Sequence, residues 1–129
     1  MRAGLLLSLA VLMAGCGGST PTLTTAAGGE VADWIRLERL PPAARPGALL
    51  FSSSGCTACH TYLGAGRTNL GAPDLTSIGT RDRGVAYYAR FLRCPSCLRS
   101  GSTMPAFDSL GAARLRRLAV FLEASKGRR

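Results

Sequence analysis

Two cysteines and a histidine stand close together near the middle of this 129-residue chain, in the order Cys56, Cys59 and His60. Their spacing, C-x-x-C-H, is typical of covalent haem attachment. In that chemistry the two thiols add to the two vinyl groups of the haem, and the histidine becomes an axial ligand of the iron. His60 is the only histidine of the chain. The sequence therefore predicts one haem c at this motif, and it excludes multi-histidine metal centres and bis-histidine haem.

The N-terminal segment has the pattern of an export signal. Arg2 precedes a largely apolar run at residues 5–14, and this run is much shorter than the ~20 residues that a membrane-spanning helix needs. The residues that end at Cys16 resemble a bacterial lipoprotein box, in which the cysteine is acylated and becomes the first mature residue. We expect a lipoprotein signal peptide at residues 1–15. The protein is then extracytoplasmic, anchored through lipid on Cys16 to the outer face of the cytoplasmic membrane or in the periplasm.

The second axial ligand of the iron follows by elimination. Histidine and methionine are the usual ligands at this position, and the chain has no second histidine. Met1 and Met13 lie in the predicted signal peptide, which leaves Met104. This residue stands in a polar segment, whereas a methionine that fills a hydrophobic core usually lies on a helix face. The sequence therefore predicts His60 and Met104 as the axial ligands.

A second C-x-x-C pair, Cys94 and Cys97, allows other chemistry. Together with Cys56 and Cys59 it could supply four thiolates to a tetrahedral zinc ion, although the gap between the pairs is longer than is usual for such sites. In an exported chain we expect a disulfide between Cys94 and Cys97 instead. Its predicted role is to hold the segment that presents Met104, and a redox-active thiol pair is the alternative.

The chain is strongly basic, with 16 Lys and Arg against 7 Asp and Glu and a formal net charge of +9. Apart from Arg2, the arginines are scattered from Arg36 to the last residue, without a run longer than two. This distribution and the predicted export argue against a nucleic-acid partner. A cationic face for an acidic protein partner is the better explanation of the charge.

Folded structure should begin some distance after Cys16. Residues 16–30 consist mostly of Gly, Ser, Thr and Ala, which predicts a flexible linker. We place the folded domain at residues 31–129, with its core at about residues 44–125. A short helix is expected at residues 31–40, ended by Pro41 and Pro42, and a second at residues 47–51 after Pro46.

Two further helices are predicted from apolar residues at positions i, i+3, i+4 and i+7. These residues are Val85, Tyr88, Ala89 and Leu92 in the first, and Leu115, Leu118, Ala119 and Leu122 in the second. We expect Asp82 to cap the first helix and Pro95 to end it. The second, at about residues 109–124, should be capped by Asp108 or Ser109 and stopped by Gly127.

Two long segments connect these helices, at residues 64–80 and 94–107. Both are rich in Gly, Pro, Ser and Thr, and neither alternates in the way that predicts a strand. Loops of this length are uncommon in a small domain unless something holds them. A cofactor, a metal or a disulfide would supply that restraint.

The chain resembles the monohaem class I c-type cytochromes over about residues 45–125. The resemblance is carried, in the family's order, by Gly47, Phe51, the C-x-x-C-H motif, the Gly71-Ala72-Pro73-Asp74-Leu75 segment, Tyr88, the Met104-Pro105-Ala106-Phe107 segment and Phe121. The cysteine pair at 94 and 97 departs from the family's pattern.

This resemblance implies an all-α fold, the small cytochrome c fold, with three to four short helices around one covalently bound haem. The first and last of these helices should cross at Gly47 and Phe121. Pro73 should offer its carbonyl oxygen to Nδ1 of His60, and Pro73 and Leu75 should both lie against the cofactor.

The expected function is one-electron transfer between membrane-bound respiratory redox partners that carry acidic docking surfaces. Iron with both axial positions filled offers no open position to a substrate, so we expect a carrier and not an enzyme. One alternative is an electron-transfer subunit of a dehydrogenase or oxidase complex. Another is a structural lipoprotein that binds zinc through four cysteines.

Overall fold

The computed structural model describes residues 24–128, with side chains from residue 28 onward. The predicted signal peptide and Cys16 lie outside the described residues. Within them the chain is mostly helical, which confirms the all-α prediction at that level. The helices are α1 (Thr24–Leu37), α2 (Arg45–Ser53), α3 (Val85–Arg93), the four-residue α4 (Pro95–Leu98) and α5 (Gly111–Ala124). Short 3-10 turns occur at Pro42–Ala44, Cys56–Ala58, Ile78–Arg81 and Asp108–Leu110.

Helix α1 begins at Thr24, so its first residues belong to the segment that the sequence predicts to be a linker. Val31 and Trp34 are each 2% exposed. They lie one helical turn apart and fix the helix to the core, and the helix continues toward the N-terminus from this anchor. A Cβ added at Gly28 or Gly29 would have no neighbour within 4 Å, so this part of the helix does not pack against the core. Residues 24–30 are therefore helical, although their composition predicted a flexible linker. Tertiary packing further along α1 stabilises this part of the helix.

Helix α1 also ends before the proline pair that was expected to stop it. Arg39 adopts a left-handed conformation, with φ of 51°. The amide of Leu40 donates to the carbonyl of Ile35 at 3.0 Å, and the amide of Arg39 donates to that of Arg36 at 3.3 Å. These two bonds form a Schellman cap. The prolines follow the end of the helix and do not cause it.

Helices α2 and α5 cross at a glycine, as the family resemblance implies. A Cβ added to Gly47 would overlap the carbonyl oxygen of Arg117 and the Cβ of Phe121. Only a residue without a side chain allows the two backbones to approach this closely. The predicted crossing at Gly47 and Phe121 is confirmed.

Four aromatic side chains pack beside this crossing and form the centre of the core. They are Trp34, Phe51, Tyr62 and Phe121, with ring centroids between 4.9 and 6.5 Å apart. The hydroxyl of Tyr62 is completely buried and hydrogen-bonds with Oγ of Ser125 at 2.9 Å. This cluster joins α1, α2 and α5 to the chain that follows His60.

The predicted caps of α3 and α5 are wrong. Gly84 precedes α3, and its amide donates to Oε2 of Glu123 at 3.0 Å. Asp82 instead pairs with Nζ of Lys126 at 2.7 Å. Helix α5 has no side-chain cap, because the chain enters it through the 3-10 turn that contains Asp108 and Ser109.

The segment after His60 contains a small hairpin that the sequence did not predict. Strand β1 (Thr61–Tyr62) pairs with strand β2 (Ala65–Gly66), with Thr61 opposite Gly66 and Tyr62 opposite Ala65. A Cβ at Gly66 would overlap the carbonyl oxygens of His60 and Thr57. The hairpin therefore turns the chain back onto the C-x-x-C-H motif.

No helix within residues 24–128 is long and apolar enough to cross a membrane.

Candidate functional site

A cavity of about 500 Å³ lies between the C-x-x-C-H turn, α3, α5 and the two long loops. Its size is in the range of small-molecule and cofactor sites. The residues that the sequence predicts to hold the haem all line it: Cys56, Cys59, His60, Pro73, Leu75 and Met104. Apolar side chains make up much of the remaining wall, among them Phe51, Tyr88, Leu92, Leu118 and Leu122.

The two cysteines are held on a tight turn that opens from Gly55, whose φ is 80°. The amides of Cys59 and His60 both donate to the carbonyl of Cys56, at 3.2 and 3.0 Å. Cys56 and Cys59 are free thiols. Burial raises the pKa of the Cys56 thiol to about 11. Cys56 is therefore a neutral thiol at neutral pH, unlike the exposed, low-pKa thiols of redox-active pairs.

A backbone carbonyl selects the tautomer of the His60 ring. Its Nδ1 lies 2.8 Å from the carbonyl oxygen of Pro73, and a carbonyl oxygen can only accept. Nδ1 must therefore carry a hydrogen, which leaves the lone pair of the neutral ring on Nε2. The hydrogen bond that the resemblance implies is present, and it prepares His60 to ligate through Nε2.

Met104 reaches the cavity from the loop between α4 and α5. The loop is fixed at one end by a hydrogen bond from the amide of Phe107 to the carbonyl of Leu92 at 2.9 Å. The amide of Met104 itself donates to Oγ of Ser102 at 3.4 Å. The thioether is half-buried against the core. The structure therefore places Met104 on a loop that lines the same cavity as His60.

Cys94 and Cys97 form a disulfide, with their Cα atoms 5.3 Å apart. This confirms the predicted pairing. The bond joins the residue between α3 and α4 to the third residue of α4, at the start of the Met104 loop. Because both sulfur atoms are used in the disulfide, they are not available as zinc thiolates. Within residues 24–128, no group of three or more His, Cys, Asp or Glu side chains is placed to hold a metal ion.

Three arginines at the cavity were not singled out from the sequence. Arg81, Arg83 and Arg99 line it, and the guanidinium of Arg83 lies 5.3 Å from the ring centroid of Tyr87. Arg81 and Arg83 lie two positions apart in the turn before α3, on either side of Asp82. This local pair of basic residues is the one sequence signal that could have identified them. All three are exposed, so they place positive charge at the rim of a mostly apolar cavity.

The chemistry of this donor set fits a covalently attached haem. Two free thiols, a histidine with its Nδ1 proton engaged and a methionine thioether line one cavity with apolar walls. Comparison with known proteins adds no assignment, since no protein family, curated protein or solved structure matches this chain.

Proposed function

We propose that this chain is a one-electron carrier of the c-type cytochrome class, with one haem bound through Cys56 and Cys59 and with His60 and Met104 as axial ligands. The observation that carries the proposal is the convergence of these four side chains on one apolar cavity. The bond between His60 Nδ1 and the carbonyl of Pro73 adds to it, because it leaves the correct nitrogen for the iron.

When bound, the haem supplies a one-electron redox couple. The chain determines how that couple behaves. Thioether links through the two cysteines retain the group, the apolar walls exclude water, and the His60 and Met104 pair raises the reduction potential. Filling both axial positions leaves none for a substrate, which favours electron transfer over catalysis.

The basic surface supports a protein partner with an acidic docking surface. Arg81, Arg83 and Arg99 place charge at the cavity rim, where they can balance the carboxylates of a haem and steer an acidic partner. Encounters of this kind are fast, brief and sensitive to salt. With the lipid anchor proposed at Cys16, the carrier would work beside membrane-bound respiratory donors and acceptors.

The test is to produce the chain with haem-maturation machinery and to record oxidised and reduced absorption spectra. We expect a c-type spectrum and, in the oxidised protein, the far-red band that reports iron–methionine bonding. The matched control is the C56S/C59S double variant, which should lack covalent haem. A colourless unaltered chain would overturn the proposal, and a coloured chain without the far-red band would overturn Met104 ligation.

A further inference from the structure

A second hydrogen bond lies beside the contact between His60 and Pro73, formed by the next residue on each side. Thr61 follows His60 and Asp74 follows Pro73. Oγ1 of Thr61 donates to Oδ2 of Asp74 at 2.6 Å. The other carboxylate oxygen, Oδ1, accepts from the amide of Thr76 at 2.9 Å. One exposed carboxylate thus connects strand β1, which directly follows His60, to the loop that presents the Pro73 carbonyl.

Two more hydrogen bonds extend this connection along the same pair of segments. The amide of Leu75 donates to the carbonyl of Thr61 at 2.9 Å. The amide of Leu63 donates to Oγ1 of Thr76 at 2.8 Å. The acceptor of the His60 hydrogen bond is therefore held by neighbours on its C-terminal side. Pro73 has no N–H with which to anchor itself.

We propose that Thr61 and Asp74 are positioning residues that hold the Pro73 carbonyl against Nδ1 of His60 and thereby lower the reduction potential of the bound iron. This inference rests on the proposed function. A hydrogen bond from Nδ1 makes the imidazole a stronger electron donor to the iron. A stronger electron donor favours the ferric state. Loosening the carbonyl should weaken this effect and raise the potential.

The negative charge of Asp74 acts in the same direction, so the test must separate charge from position. Asp74→Asn removes the charge but keeps the connection, because its amide can donate to the Thr61 hydroxyl while its oxygen accepts from Thr76. Asp74→Ala removes both. Thr61→Val removes the side-chain bond and leaves the carboxylate, and Thr61→Ser restores the hydroxyl. The matched control is Thr80→Val, which removes an exposed hydroxyl bonded to the carbonyl of Ser77 at 2.8 Å.

Two quantities are measured on the haem-loaded chains. One is the midpoint potential. The other is the solvent-exchange rate of the His60 Nδ1 proton, by NMR of the reduced protein. We expect Asp74→Ala to have a higher potential and faster exchange than Asp74→Asn. Thr61→Val should shift both quantities in the same directions, Thr61→Ser should restore them, and Thr80→Val should change neither.

Equal potentials and equal exchange rates for Asp74→Ala and Asp74→Asn would overturn the positioning role and leave the proposed function intact. The Thr61 variants are a separate check, since they keep the carboxylate charge. Failure of the unaltered chain to take up haem would overturn the proposed function and the inference together. The two failures are therefore distinguishable in the same set of proteins.

Discussion

Nδ1 of His60 lies 2.8 Å from the carbonyl oxygen of Pro73, although 13 positions separate the two residues in the chain. The hairpin of β1 and β2 explains how they meet, because it reverses the chain directly after His60. The returning segment then runs back along the C-x-x-C-H turn, with the amide of Asn69 donating to the carbonyl of Cys59 at 3.1 Å. The imidazole is thus oriented by the protein itself.

Met104→Ala tests the second axial ligand. If the thioether binds the iron, its removal should abolish the far-red band, produce high-spin or weakly ligated iron and lower the midpoint potential. Absorption spectra and a redox titration measure these changes. The matched control is Thr103→Ala, a truncation at the neighbouring exposed residue, which should retain the band. An unchanged spectrum in Met104→Ala would rule out this ligand.

The C94S/C97S double variant tests the role of the disulfide. Closing so short a loop stabilises a chain by about 2 kcal/mol in the chain-entropy model, so the free energy of unfolding should fall by up to that amount. The haem should be retained, because neither sulfur is needed to attach it. The far-red band should disappear at a lower temperature than in the unaltered protein, because the Met104 loop is less restrained. Loss of haem from the double variant would contradict a purely structural role.

Gly47→Ala tests the helix crossing. An added methyl group would overlap the backbone of α5 at Arg117, and overpacking of this kind costs about 1–3 kcal/mol. Gly28→Ala is the matched control, because nothing lies within 4 Å of its added Cβ. Replacing this exposed helical glycine should stabilise the chain by up to about 1 kcal/mol. Denaturant unfolding of both variants measures the contrast, and equal stabilities would contradict the crossing.

Tyr88→Phe tests a pH dependence. Burial, followed by the nearby Glu123 carboxylate, raises the pKa of the Tyr88 phenol above its usual 10. Its hydroxyl donates to the carbonyl of Ile78 at 2.8 Å. The folded state therefore retains a proton that the unfolded state loses above pH 10, so this contribution to stability is complete below pH 10 and is lost as the pH rises further.

The measurement for Tyr88 is the free energy of unfolding from pH 8 to pH 11. At pH 8 the unaltered chain should exceed Tyr88→Phe by about 0.5–1.5 kcal/mol, the value of one hydrogen bond. Above pH 10 the difference should shrink. Using the difference between the two proteins cancels the titration of Tyr62, whose pKa is also raised by burial. A difference that stays constant across this range would contradict the assignment.

Patterns with a direct physical cause could be predicted from the sequence. Three such patterns each act over a few residues: the C-x-x-C-H spacing, the periodic apolar residues of two helices and the close cysteine pair. The structure has the corresponding features, which are the turn at the motif, helices α3 and α5, and the disulfide. The N-terminal part of α1 could not be predicted, because residues 24–30 are stabilised through Val31 and Trp34 and not by their own propensities. The caps were wrong for a related reason. Asp82 had a long-range partner in Lys126, which no local pattern shows. The connection between Thr61 and Asp74 likewise requires the fold.

The double variant R81E/R83E tests the charge at the cavity rim. Both arginines are exposed and line the cavity, so reversing them should repel an anionic redox reagent without changing the ligands of the iron. We expect slower oxidation of the reduced protein by ferricyanide and a weaker dependence of the rate on salt, because attraction between opposite charges is what salt screens. Stopped-flow absorbance measures both quantities.

The control for this charge reversal is R114E/R117E, which makes the same change in net charge on an exposed part of α5 that does not line the cavity. If the field near the haem determines the rate, the control should slow the reaction much less than R81E/R83E. Equal effects would mean that only the net charge of the protein matters and that the rim is no docking surface. Because the Debye length is about 8 Å at physiological ionic strength, the contrast should be clearest there, where charges far from the cavity are screened and those at its rim are not.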